Sequence, residues 1–190
     1  MPSVYEQNAV FLQSGDPTKE DVAANNYPGQ LGVRFTMQYP VSRATPNTNP
    51  PRTRRFQFVR IDPAAAAAPK AGQPVYWSDR SNYLVTTAGG TTLNQVAGVV
   101  NNAPTRGNYT CIQIGGPCLV RAADVDVTAG VAGADFFVGG ASDLAVRVAA
   151  GTAPGTSALG IVSSPKVTDL TGGTGNQKIQ LDLDVQPQNF

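Results

Sequence analysis

Short β-forming runs, spaced a few residues apart and separated by turn formers, constrain this 190-residue chain more than anything else in it. After Gly72 they fall at residues 75–77, 83–85, 96–100, 109–114, 118–122, 125–127, 136–138, 144–148, 159–162 and 179–185. Clusters of Gly, Pro, Asn, Asp or Ser stand between most of them. Strands this short at this spacing build sandwiches and barrels. The last run, Ile179-Gln180-Leu181-Asp182-Leu183-Asp184-Val185, alternates without a break. One of its faces belongs in a core, and the other, with Asp182 and Asp184, faces solvent or an interface. The expected class is all-β: a compact β-barrel or β-sandwich domain with an extended N-terminal arm.

The arm is residues 1–62. It is polar, with strand segments at 35–39 and 56–61 and a Pro- and Asn-rich loop over 41–55. Pro63 and Pro69 then bracket five alanines, Ala64 to Ala68. A bracketed run this short is below the length at which a helix holds itself together, so 63–69 reads as a spacer. The main β-domain is residues 70–190.

That domain carries a weak internal repeat. Residues 75–77, 83–85 and 96–100 have counterparts at 136–138, 144–146 and 158–162, with Gly98 and Gly160 in matching places. Each unit reads as a hairpin followed by a glycine-bearing strand. Glycine inside a strand marks a bulge, a bend or a close backbone approach.

Composition narrows the chemistry. Histidine is absent, which removes Ser-His-Asp and Cys-His nucleophile arrangements, the usual proton shuttle near neutral pH, and the commonest metal ligand. The main domain has no Glu, and its Asp residues fall in scattered turns and strands, so a two-carboxylate glycosidase site is not expected. Cys111 and Cys118 are too few for a zinc site without His; they read as reduced thiols, with a local hairpin disulfide as the alternative. Asp124, Asp126 and Asp135 lack the rest of a calcium loop, and the Gly-rich stretch at 172–176 lacks the Lys-Ser/Thr of a phosphate loop. Trp77 reads as core or interface. No catalytic, cofactor or metal residues are expected, and the chain is not expected to be an enzyme.

Net charge is +1, which gives no global drive toward nucleic acid or membrane. No apolar run approaches the roughly 20 residues that span a bilayer, and residues 1–10 do not read as a secretory signal. Charged residues are only 14%, so a protein whose faces are covered by partners fits better than a heavily solvated monomer.

Several of these runs carry a resemblance. Residues 71–77 (Ala-Gly-Gln-Pro-Val-Tyr-Trp), 96–99 (Val-Ala-Gly-Val) and 107–117 (Gly-Asn-Tyr-Thr-Cys-Ile-Gln-Ile-Gly-Gly-Pro) resemble the capsid cement, or head decoration, proteins of tailed bacteriophages. The shared scheme is Gly-x-x-Val, a polar turn, Ala-Gly-Val, then Gly-x-x-x-x-Val/Ile-x-x-x-Gly, and residues 159–162 fit its second occurrence. The resemblance covers about residues 71–165 and leaves 1–62 unexplained. It implies a compact, often trimeric β-domain on the outside of the head. Such a protein is assembled in the host cytoplasm and clamps neighbouring major capsid subunits against genome pressure. The implied partners are the major capsid protein and further copies of this chain as a homotrimer. No catalytic residues come with the family.

Arg43, Arg52, Arg54, Arg55 and Arg60 lie in a stretch with no acidic residue. A solvated loop accounts for such a cluster. The functional alternative is docking to an acidic capsid surface through Arg forks on carboxylates. Nucleic acid fits less well, because the cluster is short and no aromatics interleave with it. A competing class is a carbohydrate- or receptor-binding tail or spike module, which requires exposed aromatics grouped at one site.

Overall fold

The computed structural model describes residues 12, 15–26, 31–39, 52–87, 96–121, 136–139, 145–148, 158–162 and 178–185. Their regular structure is all strand: β1 (Arg34–Tyr39), β2 (Arg52–Ile61), β3 (Pro74–Asp79), β4 (Leu84–Thr86), β5 (Val96–Val100), β6 (Tyr109–Arg121), β7 (Phe136–Gly139), β8 (Ala145–Val148), β9 (Ala158–Val162) and β10 (Lys178–Asp184). They join in the order β1-β2-β4-β3-β5-β6-β10-β9-β7-β8. A further β2–β6 pairing closes β2, β4, β3, β5 and β6 into a five-stranded barrel.

So small a barrel needs sharply bent strands, and bulges supply the bends. The register shifts between Val75 and Tyr76 on β5, between Trp77 and Asp79 on β4, and between Arg55 and Phe56 on β6. Gly98 serves closure directly: a Cβ there would lie 2.7 Å from the Gln113 carbonyl oxygen, so no other residue lets β5 lie this close to β6. The interior is filled by Val59, Ile61, Val75, Val85, Val99 and Ile112, all without solvent exposure. Each such aliphatic side chain contributes about 1.5–3 kcal/mol by leaving water. The same core continues to Cys118, Val120, Leu183 and Val185.

The wall formed by β2 and β6 is apolar on its outer side too. Phe56, Phe58, Tyr109 and Cys111 are buried there with Val22, and Leu12, Leu31, Phe35 and Met37 pack over them. The early part of the chain thus lies against the barrel. Val22 and Tyr109 exchange two backbone hydrogen bonds of 2.8 Å. The Glu20 carbonyl accepts from Thr110 Oγ1 at 2.6 Å and from Asn102 Nδ2 at 2.7 Å. The Asp21 carboxylate accepts from Asn108 Nδ2 at 3.0 Å.

Three features differ from the sequence expectation or refine it. β2 lies inside the segment read as an arm, yet it is a wall strand whose Val59 and Ile61 share the core of Val75 and Val99. It also starts at Arg52, inside the stretch read as loop; in Arg52-Thr53-Arg54-Arg55 only Thr53 favours strand, and the segment pairs with β1 along its length. The runs at 109–114 and 118–122 are one strand, β6, and Gly115-Gly116-Pro117 is a bend within it. The alanine spacer holds no helix and sits on the barrel: Ala65 is buried, and its carbonyl accepts from Arg106 Nη1 at 3.0 Å. The run at 125–127 lies outside the described residues.

The strand order β2-β6-β5-β3-β4 recurs as β6-β10-β9-β7-β8. Val75 opposes Gly98 and Tyr76 opposes Val96; Phe137 opposes Gly160 and Val138 opposes Ala158, each residue 62 positions later. The bulge recurs with the register. β6 serves both units: its first half pairs with β2, and its second half pairs with β10.

Candidate functional site

β1 and the first half of β2 form an antiparallel ribbon along the barrel wall, with Phe35 opposite Phe56, Thr36 opposite Arg55, Met37 opposite Arg54 and Tyr39 opposite Arg52. Alternation divides it into two faces. Phe35 stacks on Phe56 with ring centroids 5.6 Å apart, and Met37 joins the same apolar layer. On the opposite face Arg34, Thr36, Gln38, Thr53 and Arg55 are exposed.

The ribbon is rooted at the bend of β6. Gln113 is fully buried, and its Nε2 donates to the carbonyls of Gly115, Gly116 and Pro117 at 3.1, 3.2 and 3.0 Å. Its Oε1 accepts from Asn101 Nδ2 at 3.3 Å. One amide thus ties three consecutive carbonyls at the place where β6 changes partners. Gly116 has a φ of +79°, and a Cβ on it would strike the Thr53 carbonyl oxygen. Arg55 lies across Gly115, where a Cβ would meet its guanidinium.

The five sequence-singled arginines therefore separate. Arg52, Arg54 and Arg55 sit together at the start of β2. Arg54 is half-buried opposite Met37, and Arg55 is on the exposed face. Arg60 is held by the barrel itself: Nε donates to the Gly107 carbonyl at 2.9 Å, and its guanidinium carbon lies 5.4 Å from the Tyr109 ring centroid. Arg43 lies outside the described residues. Arg34 joins the group through β1–β2 pairing, and sequence reasoning missed it. The 12-residue connection between β1 and β2 has no turn signature to set a register, so nothing local brings Arg34 to β2.

From Val22 to Ile61 the chain has six arginines and no carboxylate. The resulting positive potential reaches about 8 Å at physiological salt, and guanidinium forks match carboxylates in geometry.

A second grouping lies on the barrel's β3–β4 side. Trp77 and Tyr83 meet edge to face at 6.4 Å, both half-buried. Trp77 packs on the barrel core, and the Tyr83 ring covers Gly32. Tyr83 has a φ of +52°, at the end of a turn whose Asp79 carboxylate accepts from Ser81 N, Asn82 N and Asn82 Nδ2. These bonds hold the Asp79 carboxyl below its usual range, the Asn82 side chain contributing most. Cys111 and Cys118 are free thiols, both buried, in the outer and inner apolar layers respectively. Burial, followed by the nearby Glu20, pushes the Cys111 thiol far up. Among the described residues no three His, Cys, Asp or Glu side chains gather as metal ligands.

No protein-family model matches this chain, and no curated protein matches it. Among solved structures it is similar to the N base of the head fibre protein gp8.5 of bacteriophage phi29, with a TM-score of 0.43 and 14% identity over 71% of this chain and 98% of that one.

Proposed function

We propose that this chain is a structural virion protein of a bacteriophage head, a capsid cement or decoration protein that binds the outside of the shell and stabilises contacts between major capsid subunits. One structural observation carries the reading: an arginine-bearing β1–β2 ribbon, with no acidic residue in its own strands, whose β2 is itself a strand of the closed β-barrel. The resemblance of residues 71–165 to the cement family supports it from the sequence side. A rigid β-fold whose ribbon exposes Arg34 and Arg55 on one face suits adhesion, with no bond made or broken. The partners are the major capsid protein and two further copies of this chain, in a homotrimer. Weak contacts repeated over a shell add through effective concentration, so no single contact needs to be strong.

The test is cosedimentation with heads that lack the protein. Replacing Arg52, Arg54 and Arg55 by Glu should weaken binding and flatten its dependence on salt. Unchanged occupancy would remove the docking role of the ribbon.

A second reading, a carbohydrate- or receptor-binding module, draws on the Trp77–Tyr83 pair. It predicts that the purified protein binds glycans in an array, that it ignores empty heads, and that Trp77→Ala abolishes the glycan signal.

A further inference from the structure

β1 is the end strand of the sheet, and among the described residues its strand neighbour is β2 alone. The Phe58 N–H donates to the Val33 carbonyl at 3.0 Å, which sets the parity of the ladder. Val33, Phe35, Met37 and Tyr39 turn their backbone groups toward β2. Arg34, Thr36 and Gln38 turn theirs outward. These same three residues have exposed side chains. The outer edge of β1 therefore offers a row of amides and carbonyls about three residue pairs long, beside Arg34 and the exposed Arg55.

Natural sheets blunt such edges with charged side chains, prolines or bulges. β1 has no proline and no bulge over its six residues, its one charge is Arg34, and the register of its β2 pairing runs without a shift. Its apolar face is anchored by the Phe35–Phe56 stack.

We propose that the β1 edge is a strand-addition site for an extended acidic segment of the shell protein. This rests on the docking function proposed above and names how the ribbon takes hold. The incoming backbone pairs with Arg34, Thr36 and Gln38, and its carboxylates meet the arginines of a ribbon that carries no acidic residue of its own. Main-chain pairing supplies affinity, and charge supplies the choice of partner.

The experiment uses the full-length protein and heads that lack it. Thr36→Pro removes one outward N–H and leaves the bonds to β2 in place; Thr36→Val keeps that N–H. Thermal melting confirms that each variant folds. Binding of the wild type and Thr36→Val, with a loss of at least tenfold for Thr36→Pro, supports the edge. Equal binding by all three overturns it and leaves arginine docking standing. No binding by any of them overturns both. Amide exchange on the wild type gives a reading independent of the proline variant. Slowed exchange at Arg34, Thr36 and Gln38 in the head-bound protein is the expected result, and unchanged exchange at these three in a bound protein contradicts the proposal.

Discussion

The Gly116 carbonyl accepts a hydrogen bond of 3.2 Å from the side-chain amide of Gln113, three residues back on the same strand, and Gly116 itself holds a φ of +79°. A strand that would otherwise run straight is turned and locked there. β6 leaves β2 on one side of the bend and takes up β10 on the other. The bend also brings Gly115 and Gly116 against Arg55 and Thr53 of the ribbon.

Gln113→Leu keeps the volume and removes the donor, leaving three carbonyls of the bend short of a partner. Each such loss costs about 1–3 kcal/mol when the group is buried. A fall of about 2–4 kcal/mol in unfolding free energy is expected by urea denaturation, because some of the carbonyls relax toward water.

Gly116→Ala should be worse. The left-handed conformation costs a β-carbon roughly 1–2 kcal/mol, and the collision with the Thr53 carbonyl adds to it. Folded yield and melting temperature measure this, with a loss beyond about 3 kcal/mol expected.

Arg60 and the β2 arginines should part company in experiment. Arg60→Met loses the bond to the Gly107 carbonyl and the contact with the Tyr109 ring, together about 1–2 kcal/mol of stability. Head occupancy of the folded variant should stay at the wild-type level. Charge reversal at Arg52, Arg54 and Arg55 should reduce occupancy of protein that still folds.

Cys111 makes stability depend on alkaline pH. Its folded thiol titrates far above the ordinary value of about 8.5, so the unfolded chain loses its proton first. The contribution is intact below pH about 8.5 and is lost as pH rises toward the folded value, with a slope approaching about 1.4 kcal/mol per pH unit for one thiol. Cys111→Val should flatten the pH dependence between about 8.5 and 10, measured as the difference between the two denaturation series. In native protein near neutral pH, neither buried thiol should react quickly with a thiol reagent.

The strands of the barrel were legible because their signal is local. Val96-Ala97-Gly98-Val99-Val100 and Tyr109 to Ile114 announce themselves by β-branched and aromatic residues between turn formers. The repeat was legible for the same reason, down to Gly98 and Gly160, but its first strand was matched one residue early: the sequence sets Val75 beside Phe136, and the register sets it beside Phe137. What stayed hidden was non-local. Pro-Arg-Thr-Arg-Arg looks like loop until β1 pairs with it, and Gly-Gly-Pro looks like a turn until the Gln113 amide, itself an unremarkable polar residue in a strand, bridges it. The division at residue 62 followed the alanine run, which is a composition signal; the core follows contacts across that run, such as the pairing of Ile61 with Val85. Arg34 was overlooked because its place beside the other arginines depends on a register that no turn encodes.

The central claim is mechanical adhesion to a virus shell, and heat stability of heads tests it most directly. Heads assembled without this protein should release their DNA at a lower temperature than native heads, and adding back the purified protein should restore the difference. Identical release temperatures with and without it, at full occupancy, would contradict the account.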